Sequence, residues 1–160
     1  MKLIELFSVK QINPTNDNPI KSNILLKGKK TGIEVEGDTL RYQFQVINFY
    51  LLILSSPISW GESIHFYLLD LDVNILEEFT VSGDYDDSPF LSNLAVVNFS
   101  NLAVVNFNVI EFSYLSTSDK WKLQIYEEKR LKLPKLNPYS SIKTNWVSQI
   151  TTHFNLERVN

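Results

Sequence analysis

One run of residues in the middle of the chain limits the fold more than any other feature. In residues 40–54, apolar and polar side chains first alternate with a period of two, and the run then becomes apolar at almost every position. Alternation is typical of a strand with one buried face, and a continuous apolar run is typical of a strand buried on both faces. We therefore predict a central strand over residues 40–54 that enters the core.

Other segments carry the same β signals, either alternating apolar residues or flanking turn formers. They are residues 2–9, 24–26, 33–36, 63–69, 75–81 and 121–133. Short connections rich in Gly, Asp and Asn predict two hairpins, one from the second and third of these segments and one from the fourth and fifth. The pattern predicts a mainly antiparallel β protein, built as a sandwich or a strongly curved sheet.

The C-terminal region alone has an apolar pattern with a helical period. Ile142, Trp146, Ile150 and Phe154 recur at i+4 spacing after a turn at Pro138, which predicts an amphipathic helix over about residues 139–154, docked on the sheet. With this helix the chain is α+β by strict count. A chain of 160 residues can bury roughly 70% of its unfolded surface, so we expect residues 1–160 to form a single domain.

An eight-residue tandem repeat interrupts the β pattern. Residues 92–99 and 100–107 have the same sequence, SNLAVVNF. Because eight is even, a shift by one copy keeps every side chain on its original face, so one position in a sheet would accept either copy. A straight strand over residues 91–114 would be on the order of 80 Å long, which predicts a bend or turn near residues 99–101.

Three interpretations of the repeat remain open at this point. It is a tolerated insertion without function, a source of strand exchange between two chains that gives a homodimer around residues 92–107, or an added edge for a partner strand.

Charge is distributed unevenly along the chain. Residues 42–119 contain no Lys or Arg but ten acidic residues, eight of them within residues 62–87, whereas the two ends carry net positive charge. Folding of the basic ends onto the acidic middle is one interpretation of this layout. The other is an acidic face made by adjacent hairpins. Its candidate partner-binding residues are Asp70, Asp72, Glu77, Glu78, Asp84, Tyr85, Asp86 and Asp87.

An acidic face attracts a basic protein and repels nucleic acid. The sequence therefore favours a non-enzymatic protein-binding module, such as an immunity-type inhibitor that neutralises a basic, nuclease-like toxin. The alternative is a carbohydrate- or small-molecule-binding β-sandwich. In that case Trp60, Trp121 and Tyr85 would stack on the ligand, and calcium could sit between Asp84, Asp86 and Asp87.

Recognisable catalytic and metal-binding patterns are missing from the sequence. There is no cysteine, and a Gly-x-Ser-x-Gly motif is absent. Asp70 to Asn74 resembles the start of a calcium loop, but Ile75 and Val81 occupy its glycine and glutamate positions. His65 and His153 are expected to be packing residues. We expect neither enzyme activity nor a cofactor or metal; an enzyme would need a deep pocket holding His65 with a carboxylate at hydrogen-bond distance.

Targeting signals are also missing from the sequence. Glu5 interrupts what would be the apolar part of a signal peptide, and the longest apolar run has nine residues, against about 20 for a spanning helix. We expect a cytoplasmic protein without a membrane segment.

Overall fold

The structure is a computed structural model that describes residues 1–12, 20–58, 61–83, 100–106, 108–113, 120–131, 142–146 and 151–159. Thirteen strands and no helix occur in these ranges, and all strand pairs are antiparallel. The mainly antiparallel β prediction is therefore confirmed. Within the same ranges, no helix is long and apolar enough to cross a membrane.

The strands form three sheets. The six-stranded sheet contains, in spatial order, β1 (Lys2–Leu3), β5 (Thr39–Val46), β6 (Phe49–Ile58), β7 (Gly61–Leu69), β8 (Ile75–Gly83) and β12 (Ile142–Trp146). The four-stranded sheet contains β13 (Thr151–Val159), β11 (Lys120–Leu131), β10 (Val109–Ser113) and β9 (Ser100–Asn106). The three-stranded sheet contains β2 (Phe7–Gln11), β3 (Lys21–Leu26) and β4 (Lys29–Glu36).

The centre of the six-stranded sheet, at β6, is buried on both faces. Leu51 and Ile53 of β6 pack in a core shared with the four-stranded sheet, and Leu52 and Leu54 pack in a second core shared with the three-stranded sheet. All four side chains are fully buried. Because successive residues of a strand point to opposite faces, the apolar run in β6 lines both cores. The predicted central strand is thus present, with a sheet on each side of it.

The predicted single strand over residues 40–54 is wrong in one respect. The chain reverses at Ile47 and Asn48, and β5 and β6 pair as a hairpin with Val46 opposite Phe49. Ile47 has a φ of 54°, a conformation that a β-branched residue rarely adopts. The turn contains neither Gly nor Pro, and Asn48 is the single polar residue that interrupts the apolar run there.

Both predicted hairpins are confirmed. β7 and β8 pair around the turn at residues 70–74. β3 and β4 pair as well, but their turn lies at Lys27 and Gly28, whose φ values of 49° and 77° match a type I′ turn. The predicted strand over residues 121–133 corresponds to β11.

The predicted C-terminal helix is wrong wherever the structure describes it. Residues 142–146 form β12, and residues 151–154 belong to β13. The i+4 spacing of Ile142, Trp146 and Phe154 misled the prediction because four is an even number. Residues four apart share a face in a strand as well as in a helix. Phe154 is accordingly buried in the core, but as a strand residue.

The N-terminal segment, predicted as one strand over residues 2–9, divides between two sheets. β1 pairs with β5, and β2 pairs with β3. Where the chain crosses, the side chain of Gln43 replaces the missing backbone partners. Its Oε1 accepts from the N–H groups of Leu6 and Phe7, each at 2.8 Å, and its Nε2 donates to the Phe7 carbonyl at 3.0 Å.

The second copy of the repeat lies in β9, and residues 92–99 lie outside the described residues. β9 and β10 are antiparallel neighbours, so the chain reverses between Asn106 and Val109. Of the turn predicted near residues 99–101, Ser100 and Asn101 belong to β9, and Phe99 is outside the described part.

Candidate functional site

The chain passes from the three-stranded to the six-stranded sheet at Gly37. This glycine has a φ of 109°, and a Cβ built on it would lie 2.8 Å from the Cβ of Leu54. Only glycine fits so close to β6 in this conformation. The crossing places Glu36 and Asp38 on either side of Gly37, next to β7 and β8.

A buried polar cluster lies beside this crossing, centred on His65 of β7. Its Nε2 is 2.9 Å from Ser56 Oγ and 3.1 Å from Ser63 Oγ, and its Nδ1 is 2.9 Å from Thr80 Oγ1. Ser56 pairs with Ser63, and His65 pairs with Thr80, across neighbouring strands. The strand register therefore brings four polar side chains together among apolar ones. His65 is 3% exposed, in line with its predicted packing role.

Burial lowers the pKa of His65 to about 4, and the negative charge of Asp38 opposes this shift. The imidazole is therefore neutral at pH 7, with each ring nitrogen close to a hydroxyl group. The Oε2 of Glu36 lies 3.9 Å from Nδ1, which is too far for a hydrogen bond. The carboxylate that a catalytic triad needs at hydrogen-bond distance is thus not found at His65 within the described residues.

Tyr67 lies two residues along β7, and its ring stacks against that of His65. Its hydroxyl donates to the carbonyl oxygen of Glu36 at 3.0 Å and accepts from the N–H of the same residue at 2.9 Å. Burial raises the pKa of Tyr67 above its ordinary value, and the charges of Glu78 and Glu36 act in the same direction. Tyr67 thereby holds the end of β4 against β7.

Three carboxylates surround these two side chains: Glu36, Asp38 and Glu78, which we call the acidic cluster. Glu78 is exposed and pairs with Tyr67 in the strand register. Partial burial and the charge of Glu36 raise the pKa of Glu78. Among the residues the structure describes, none of the three forms a salt bridge with Lys or Arg. Lys21 lies opposite Glu36 in the register of β3 and β4, so within the described part of the chain the clearest excess of negative charge is at Asp38 and Glu78.

Asp70 and Asp72 lie in the turn between β7 and β8. Asp70 stabilises this turn, since its Oδ1 accepts from the N–H of Asn74 at 2.8 Å and its Oδ2 from the side-chain amide of Asn74 at 2.9 Å. These bonds lower the pKa of Asp70. The turn lies roughly 10 Å along the hairpin from Glu78, at about 3.3 Å per residue.

Glu77 does not belong to the same surface. Its side chain is buried on the opposite face of the six-stranded sheet, where it accepts hydrogen bonds from the hydroxyl of Thr152 and, at 2.7 Å, from the N–H of His153. Glu77 thus ties β8 to β13. Adjacent strand residues point in opposite directions, so Glu77 and Glu78 cannot both face one partner.

The remaining predicted site residues, Asp84, Tyr85, Asp86 and Asp87, lie outside the described residues, as does Trp60. The expectation that Trp121 is exposed for stacking on a ligand is wrong, because it is 7% exposed and packs in the core. Among the described side chains, no group of three or more His, Asp or Glu is placed to hold a metal ion.

His153 is buried in β13, where its ring packs edge-on against Phe49 with 5.1 Å between centroids. Its Nδ1 is 2.9 Å from the carbonyl oxygen of Tyr126. His153 is therefore a packing residue, as predicted, although in a strand rather than in a helix.

The sequence prediction missed Glu36 and Asp38. Gly37 between them marked a turn, but nothing local indicated that this turn would lie against β7 and β8. Comparison with known proteins adds no relative: no family model, curated protein or solved structure matches the chain.

Proposed function

We propose that this protein is a non-enzymatic protein-binding module whose acidic surface holds a basic partner. The observation that carries this proposal is the acidic cluster, in which Glu36, Asp38 and Glu78 form no salt bridge with Lys or Arg among the described residues, although Lys21 lies opposite Glu36 on β3. Repulsion from Glu36 contributes to the raised pKa of Glu78. A lysine or arginine from a partner would offset this repulsion and act to lower the pKa of Glu78.

The neighbouring turn extends this surface. Leu71, between Asp70 and Asp72, is one of two large apolar side chains that are strongly exposed in the described part of the chain, at 50%. An apolar contact surrounded by charges is a common arrangement at protein interfaces. A standard interface buries about 800 Å² on each partner, which is enough to cover both the turn and the acidic cluster.

We further propose that the partner is a nuclease-like toxin and that this protein acts as its immunity-type inhibitor. Active faces of nucleases are basic because they bind phosphate groups. An acidic inhibitor competes for such a face and associates rapidly, because opposite charges steer the two proteins together. Nucleic acid itself is repelled by the same surface.

Affinity capture at two ionic strengths tests the proposal. The tagged protein is exposed to host extract at about 50 mM and about 500 mM salt, where the Debye length differs about threefold. Retained proteins are identified by mass spectrometry. We expect one basic protein that is retained at low salt and depleted at high salt.

Two double variants with equal charge change locate the surface. Glu36→Gln with Glu78→Gln removes charges from the acidic cluster, whereas Glu127→Gln with Glu128→Gln removes exposed charges from β11. The amount of partner that is retained should fall at least tenfold with the first variant and should stay unchanged with the second. Equal retention by both variants, or no partner at either ionic strength, would contradict the proposal.

A further inference from the structure

The second copy of the repeat forms the end strand of the four-stranded sheet, and we call the place of this strand the β9 position. β9 stands at the end of the four-stranded sheet and pairs with β10, with Ala103 opposite Glu111 and Val104 opposite Ile110. Ile110 is fully buried. Residues 95 and 96 are the same Ala and Val, eight positions earlier. A shift by eight residues therefore presents β10 with an identical strand on identical faces.

The lengths of the connections allow this shift. With residues 100–106 in the β9 position, 16 residues connect β8 to β9 and two connect β9 to β10. With residues 92–98 in that position, these connections would have eight and ten residues. Loop-closure entropy varies with the logarithm of loop length, and it favours the first arrangement only about fourfold.

We propose that the β9 position accepts either copy of the repeat, so that the chain folds in two registers that differ by eight residues. Both registers make the same backbone pairs with β10. The repeat thus gives this sheet a duplicate of its end strand, and a substitution in one copy leaves the other able to complete the sheet.

Disulfide trapping distinguishes the two registers, because the chain has no cysteine of its own. Glu111→Cys combined with Ala103→Cys traps the described register, and Glu111→Cys combined with Ala95→Cys traps the other. Opposed residues of antiparallel strands have Cα atoms about 4.5 to 5.5 Å apart, within the range of a disulfide. Glu111→Cys with Val96→Cys is the matched control, shifted by one residue to the other face.

Each variant is refolded under reducing conditions and oxidised briefly, and the disulfide yield is measured by mass spectrometry. We expect the Ala95→Cys pair to give roughly a quarter of the yield of the Ala103→Cys pair and at least tenfold more than the control. A disulfide that forms only between two chains at residues 95 and 111 would contradict the proposal, because it shows strand exchange between molecules rather than a second register within one chain.

A yield for the Ala95→Cys pair no higher than that of the control would overturn the proposal. If a Glu111→Cys variant fails to refold, the nearly isosteric pairs Ser113→Cys with Ser100→Cys and Ser113→Cys with Ser92→Cys replace it, since Ser113 lies opposite Ser100. The control is then Ser113→Cys with Asn93→Cys. A yield for the Ser92→Cys pair well above this control supports the proposal, and a yield no higher than the control overturns it.

Discussion

At the scale of single residues, burial decides the chemistry of His65. Its three hydroxyl partners can serve a neutral imidazole as donors or acceptors, but a buried imidazolium would need two acceptors and a compensating charge. Glu36 and Asp38 are the acidic groups near it, and burial still outweighs the charge of Asp38. His65 is therefore a source of pH-dependent stability.

We predict that acid weakens the fold through His65. Its pKa is about 4 in the folded protein and about 6.5 when exposed, so the unfolded state binds more protons between these values. The contribution of the neutral His65 to the free energy of unfolding is complete above pH 6.5 and is lost as the pH falls toward 4. It amounts to about 3 kcal/mol between pH 7 and pH 4.

Urea unfolding of the wild type and of His65→Gln over this pH range measures the effect. The variant lacks the titrating group, so the difference between the two curves isolates His65. If the free energy of unfolding depended on pH in the same way in both proteins, His65 would not titrate as the structure implies.

At the scale of strands, the crossing at Gly37 joins two sheets and builds the acidic cluster. We predict that Gly37→Ala destabilises the protein by about 3 kcal/mol, because its positive φ and the contact with Leu54 both disfavour a Cβ. Gly28→Ala is the control. Its φ is 77°, but nothing lies within 4 Å of the added Cβ, so about 1 kcal/mol is expected.

Thermal or urea unfolding of both variants compares them directly. Equal destabilisation would show that the close approach to Leu54 contributes nothing beyond the backbone conformation.

The sequence predicts well which segments form strands, but it predicts poorly where those strands begin and end. The hairpin of β7 and β8 has both alternation and a polar turn, so it could be recognised from the sequence. The turn at Ile47 has neither Gly nor Pro and was missed. The predicted C-terminal helix failed because i+4 spacing suits both a helix and a strand, and only packing against neighbours distinguishes them.

At the scale of the whole molecule, the six-stranded sheet separates two cores. We predict that Leu51→Ala and Leu52→Ala each destabilise the protein by about 3 kcal/mol, because both side chains are fully buried and each leaves a cavity. The two side chains lie in different cores, on opposite faces of β6. Their effects should therefore add within about 0.5 kcal/mol in the double variant.

Urea unfolding of the two single variants and the double variant tests this organisation. If Leu51→Ala strongly lowered the free energy of unfolding and Leu52→Ala hardly changed it, the six-stranded sheet would not have another sheet packed on each of its faces.

Only part of the candidate site could be predicted from the sequence, because the site combines residues from distant parts of the chain. Glu78 was named from the sequence and lies on an exposed face, whereas the adjacent Glu77 turned inward to hold Thr152 and His153. Glu36 and Asp38 join Glu78 from the crossing at Gly37, about forty residues earlier. No local pattern encodes that approach.

The sequence by itself determined that this is a β protein, that β6 is buried on both faces, and that β7 and β8 form a hairpin. These properties depend on side-chain alternation and turn chemistry, which act between neighbours in the chain. Tertiary structure alone decided which sheets stack and which acidic residues share a surface. These depend on contacts between residues far apart in sequence, whose energies no local pattern contains.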